Sequence, residues 1–84
     1  MKNELTEIHW QWLSEQIQLI RTYSGIANNF TIESELVRDV HIDSLEMLEL
    51  IGAVEQYTGQ ELKDDIWIKW YYLRDIVEYL SRVK

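Results

Sequence analysis

Apolar residues recur at helical spacing in two long stretches and one shorter one, separated by stretches where the period lapses. Leu5, Ile8, Trp10, Trp12, Leu13, Ile17, Leu19, Ile20 and Tyr23 form a broad apolar arc opposite a polar strip of Glu4, Glu7, Gln11, Ser14, Glu15, Gln18 and Arg21. That pattern predicts a first helix from about Glu4 to Tyr23. The arc is wider than one neighbouring helix covers, so two helices pack on it or part of it, such as Trp10, is left for a partner; core packing is the preferred account. His9 lies within the arc and reads as a packed residue rather than a metal ligand, since the chain has one other histidine and no cysteine.

The second helical stretch starts at Asp43. Asp43 is a good N-cap because its carboxylate accepts otherwise unpaired backbone N–H groups, and Glu46 three residues later completes a box-like start signal. Ser44 then falls in the first turn, where free N–H groups and the helix dipole favour an anion such as a phosphate attached to the hydroxyl. At about 100° per residue, Met47, Leu50, Ile51, Val54 and Tyr57 share one face and are the expected core. Leu45 and Leu48 fall on the other face with Gly52, flanked by Glu46, Glu49 and Gln56, which suits a transient docking surface. Gly59 in Thr58-Gly59-Gln60 is the stop signal, suited to a left-handed cap.

Between these two helices, from Ser24-Gly25 to Ile42, Asn28-Asn29 marks a turn. Phe30, Ile32, Leu36, Val37 and Val40 are scattered apolar points that pin a long loop over the bundle and so fix Asp43 and Ser44 at its surface. Beyond Gly59, Asp65 to Trp70 reads as a short aspartate-capped helix, and Leu73, Ile76, Val77 and Leu80 recur at three and four within a last helix from Tyr72 to Val83. Trp67, Trp70, Tyr71 and Tyr72 are too many rings to bury under a short helix, so some, with Trp67 and Trp70 the candidates, line a groove. The expectation is an all-α, small four-helix bundle with a long loop between helices 1 and 2 and a short third helix.

Composition agrees. Eighty-four residues with 46% apolar content, no proline and three glycines suit one helical domain over residues 1–84. The absence of cysteine removes disulfides, thiolate metal sites and a cysteine nucleophile. No apolar run approaches membrane-span length and the N-terminus lacks a signal-peptide core, so a soluble cytoplasmic protein is expected. Of the formal net charge of −7, the acidic excess lies between Glu33 and Asp65, with ten acids against Arg38 and Lys63. This field repels nucleic acid and anionic membrane and steers basic protein surfaces toward the serine.

The run Asp39-Val40-His41-Ile42-Asp43-Ser44-Leu45, then Glu49-Leu50, Val54-Glu55, Gly59, Leu62 and the helix from Leu73 to Leu80 resembles the acyl carrier proteins without a gap from Leu36 to Leu80. These are small four-helix bundles that carry acyl groups as thioesters on 4′-phosphopantetheine. The resemblance implies that Ser44 is the attachment site, where a phosphopantetheinyl transferase joins the arm taken from coenzyme A, with Asp43 and Leu45 as its flanking motif. It further implies that Glu46, Leu48, Glu49 and Glu55, with Gly52 in a contact position, meet an acyltransferase or ligase, a ketosynthase and other acyl-processing enzymes through basic docking surfaces. A carrier of this kind catalyses nothing, needs no metal and works as a monomer.

Departures from the family pattern refine the expectation. His41 stands where the family usually has glycine, which makes a left-handed backbone the expectation there; Gly52 replaces a larger apolar residue; Thr58 stands where phenylalanine is usual, with Tyr57 just before it; Lys63 replaces a proline; and the third helix is unusually aromatic. Together they lean toward a free-standing carrier in polyketide or related secondary-metabolite biosynthesis, with fatty acid synthesis and aminoacyl or peptidyl carriage as alternatives. Ile42-Asp43 before Ser44 favours an acyl over a peptidyl cargo. An enzyme using Ser44 as nucleophile and His41 as base lacks an orienting third group. An unmodified carrier-like adaptor that docks through Leu45 and Leu48 stays open.

Overall fold

The computed structural model describes residues 4–20 and 31–83. Over those residues the chain is a small all-α four-helix bundle: α1 (Glu4–Ile20), α2 (Ser44–Thr58), the four-residue α3 (Asp64–Trp67) and α4 (Leu73–Val83). The expected extension of α1 to Tyr23, the Ser24-Gly25 break, the Asn28-Asn29 turn, the Phe30 anchor and the side chain of Leu5 lie outside the described residues.

Packing of α1 against α2 and α4 explains which part of its arc is core. His9, Leu13 and Ile17, four apart, are buried, and Trp10, Trp12 and Ile20 are half-buried against them. Ile8 and Leu19, expected in the arc, are instead exposed, because two neighbours cover a stripe of a helix rather than most of its circumference. In α2 the inward face is Leu50, Ile51 and Val54, with Met47 and Tyr57 half-buried at its ends. Leu73, Ile76, Val77, Tyr79 and Leu80 complete the core from α4.

Tyr57 of α2 packs onto α1. Its ring stacks on Trp12, with centroids 4.1 Å apart and planes 15° from parallel. Its hydroxyl lies 2.9 Å from His9 Nδ1, which gives the buried imidazole a polar partner from α2.

The segment before α2 is held by its own buried residues and by the start of α4. Leu36, Val40 and Ile42 are buried, as expected of loop anchors, but Val37 is exposed. Leu36 N–H donates to Tyr71 O, Leu73 N–H to Ser34 O and Arg74 N–H to Ile32 O, all at 2.8–2.9 Å, around an antiparallel bridge between Glu35 and Tyr72. Tyr72 is thereby drawn into this pairing, and α4 begins one residue later than expected. Asp75 in its first turn accepts from the N–H groups of Tyr71 and Tyr72 at 2.8 and 2.9 Å.

The start of α3 also differs from expectation. Its N-cap is Lys63, which makes no side-chain capping bond, and both aspartates lie inside the first turn. Asp64 instead accepts the indole N–H of Trp67 at 3.0 Å, a bond available because the two residues are three apart on one helical turn.

Candidate functional site

Two devices place Ser44. Ile42 is buried and fixes the incoming chain, while the residue before it, His41, turns through a left-handed conformation (φ 64°). That conformation is uncommon for a residue with a Cβ and bends the backbone sharply into the helix. Asp43 then takes an extended conformation and closes a complete capping box: its Oδ1 accepts from Glu46 N–H at 2.8 Å, and Glu46 Oε1 accepts from Asp43 N–H at 3.0 Å. Ser44 is the first residue of α2 and is exposed, so its hydroxyl sits at the positive end of a fifteen-residue helix dipole. At the far end, Gly59 closes α2 at φ 72°, its N–H donating to Glu55 O.

An apolar cleft of about 350 Å³ opens beside this serine, lined by Val37, Ile42, Asp43, Ser44, Met47, Leu48 and Trp67. Its floor is Ile42; Val37 and Leu48, both more than half exposed, form open walls. Trp67 forms the wall across from α2, its indole held by Asp64. Such a volume is at the low end of small-molecule sites, which run from about 300 to 1,000 Å³.

The other candidate residues spread along the outward side of α2. Leu45 and Leu48 are exposed, as their helical phase requires, and Glu49 and Gly52 are exposed beside them. A Cβ added at Gly52 would meet nothing within 4 Å, so this point of the surface has room for a larger side chain. Two of the acids have internal duties: Glu46 serves the cap, and half-buried Glu55 accepts from Leu62 N–H at 2.8 Å, tying α2 to the chain after Gly59. Glu49 carries no such bond to the cap or to Leu62 and is exposed.

Trp67 and Trp70 are separated. Trp67 borders the cleft at Ser44, whereas Trp70 is buried against the Tyr79 ring, with centroids 5.7 Å apart. The edge of Trp70 contributes to a different depression, lined mostly by charged groups from α3 and α4. Val37 and Met47, read from the sequence as a loop anchor and a core residue, belong to the serine cleft. Asp64, which fixes its far wall, carried no signal beyond its spacing to Trp67.

An exposed serine on a capped helix, open to solvent on one side and to an apolar cleft on the other, has space for a phosphate-linked chain. No family model matches the chain. It is, however, similar to proteins named acyl carrier protein. One from Helicobacter acinonychis (strain Sheeba) is 37% identical over 71 residues, covering 82% of this chain and 91% of that one. One from Phytoplasma mali (strain AT) is 29% identical over 72 residues, covering 86% and 79%. A third, from Helicobacter pylori (strain G27), is 39% identical over 55 residues, covering 66% and 70%.

Proposed function

Because this chain belongs to the acyl carrier protein family, whose members are carriers rather than enzymes, we propose that Ser44 bears 4′-phosphopantetheine and that acyl groups ride on its thiol as thioesters. The observation that carries this reading is the exposed Ser44 at the start of α2, with a complete capping box behind it and an apolar cleft beside it. The residues present fit the arm. The helix N-terminus favours the phosphate, Asp43 and Glu46 fix the backbone that presents the hydroxyl, and the cleft gives the arm an apolar surface. When bound, the arm supplies the thiol that holds the cargo; the protein supplies position and partner choice.

We assign the whole chain to one carrier domain working in the cytoplasm. Its transferase, and then acyl-loading and acyl-processing enzymes, meet the outward side of α2 through basic surfaces. Exposed Leu45, Leu48 and Glu49 support this, as does the acidic excess between Glu33 and Asp65. Encounter rates with such partners fall as salt rises. For the pathway we adopt a fatty-acyl cargo over the secondary-metabolite context that the sequence departures suggested. The matched relatives are named simply acyl carrier protein, and the unusual tryptophans around the third helix have places in the bundle, Trp70 buried in the core and Trp67 lining the cleft.

Intact mass after incubation with coenzyme A, magnesium and a broad-specificity phosphopantetheinyl transferase tests the reading. Wild type gains the mass of one arm and Ser44→Ala gains none. If no transferase, including one from a relative's own organism, adds the arm to wild type, the unmodified adaptor replaces the carrier reading.

A further inference from the structure

Among the described residues, His9 is the one buried side chain outside the apolar and aromatic set, with 1% of its surface exposed. What α2 offers it is an uncharged hydroxyl. Tyr57 Oη lies 2.9 Å from His9 Nδ1, the two rings meet edge to face with centroids 5.7 Å apart, and Tyr57 stacks in turn on Trp12. The imidazole therefore sits in an aromatic joint between α1 and α2, away from the serine and its cleft.

The charged groups of the packed helices lie outside this joint. On α1, Glu7 and Glu15 are exposed; on α2, Glu55 accepts the N–H of Leu62. On α4 the only titratable group among the buried residues is the Tyr79 phenol, and Glu78 and Arg82 are exposed. The carbonyl end of α2, which favours a cation, pulls the other way. Its carbonyls are already engaged, however: Gly59 N–H donates to Glu55 O and Thr58 Oγ1 to Val54 O. For a group enclosed as deeply as His9, loss of hydration outweighs such an attraction.

We propose that His9 makes the docking of α1 on α2 acid-sensitive: the joint is built for a neutral imidazole and weakens as the pH falls through the range where a solvated imidazole takes up its proton. Below about pH 6.5 the unfolded chain binds a proton at this ring that the folded joint resists, so stability is full above that pH and declines beneath it. At about pH 5.5, where a free imidazole is roughly nine-tenths charged, the unfolding constant is raised by up to about tenfold. Acid thus acts on the packing of α1, whatever is attached at Ser44.

The test is urea unfolding of the full chain between about pH 8 and about pH 5.5, beside His9→Gln. The carboxylates and His41 are common to both proteins, so their contributions cancel in the comparison. Relative to His9→Gln, the unfolding constant of wild type is expected to rise about tenfold over that interval. Should His9→Gln fail to fold, the wild type decides alone: imidazole ¹⁵N shifts of the folded protein are expected to show His9 still neutral at the acid end. Two results overturn the proposal: a pH dependence that is equal or reversed between wild type and His9→Gln, or a His9 that is protonated in the folded protein at the acid end with no loss of stability.

Discussion

Two depressions flank α3, similar in size and opposite in chemistry. The one at Ser44, about 350 Å³, is walled by Val37, Ile42, Met47, Leu48 and Trp67; the other, about 290 Å³, is lined by Asp65, Ile66, Lys69, Trp70, Asp75, Glu78 and Arg82. The two tryptophans, three residues apart, mark the difference. Trp70 is a core residue with one edge showing, and charged side chains around that edge are what an ordinary water-facing surface looks like. Trp67 has its polar atom satisfied within its own turn and its ring turned to an apolar space. Size hardly separates the two depressions; the lining and the neighbouring serine do.

Substitution separates the two sides most strongly at the tryptophans. Trp70→Ala, read by urea denaturation, is expected to lose about 3–5 kcal/mol, the usual cost of truncating a buried ring. That is a large share of the roughly 5–15 kcal/mol available to a domain. Trp67→Ala, half-buried at a cleft, is expected to lose about 1 kcal/mol, near the centre of the range for single substitutions. Equal losses would erase the distinction between core pillar and cleft wall.

Asp43→Ala comes next. Loss of its capping bond to Glu46 is expected to destabilise the protein by about 1 kcal/mol. It also slows modification at Ser44, measured as transferase turnover on protein confirmed folded by circular dichroism. His41→Gly removes a Cβ from a left-handed position and is expected to raise stability by about 0.5 kcal/mol, the relief of strain being partly offset by a freer unfolded chain. Its melting temperature should rise while the mass gain at Ser44 is kept. The smallest effect belongs to the other depression: Lys69→Ala, exposed among charges, should stay within about 0.5 kcal/mol of wild type and leave transferase turnover unaltered.

Much of the serine side was legible in the chain. Asp43 and Glu46 announce the cap, the period from Met47 to Tyr57 sets the inward face, and the same period leaves Leu45 and Leu48 outside. Gly59 announces the end of α2 and adopts the left-handed cap. Periodicity gives the phase of a face but not the width that neighbours cover, which is why Ile8 and Leu19 of α1 are exposed. A helix of four residues is too short to have a period at all, so the division of labour between Trp67 and Trp70 was decided by packing against α4 and by one bond to Asp64. Glu55 shows a third limit: an acid on a half-exposed position reads as surface charge, and nothing local reveals that a backbone N–H at Leu62 will claim it.

The pairing of residues 32–36 with the start of α4 has a consequence for how the molecule opens. The bonds from Leu36 to Tyr71, Leu73 to Ser34 and Arg74 to Ile32 join segments far apart in sequence, and they lie just upstream of the turn that presents the serine. The amides of Leu36, Leu73 and Arg74 are therefore expected to exchange with solvent deuterium as one unit, since separating any of them means peeling this segment from the bundle. Local fraying at the entrance to α2 is expected to stop at that seam. The backbone that presents Ser44 is thus restrained by contacts made far away in the chain, and hydrogen exchange at Leu36 is expected to report the loss of that constraint.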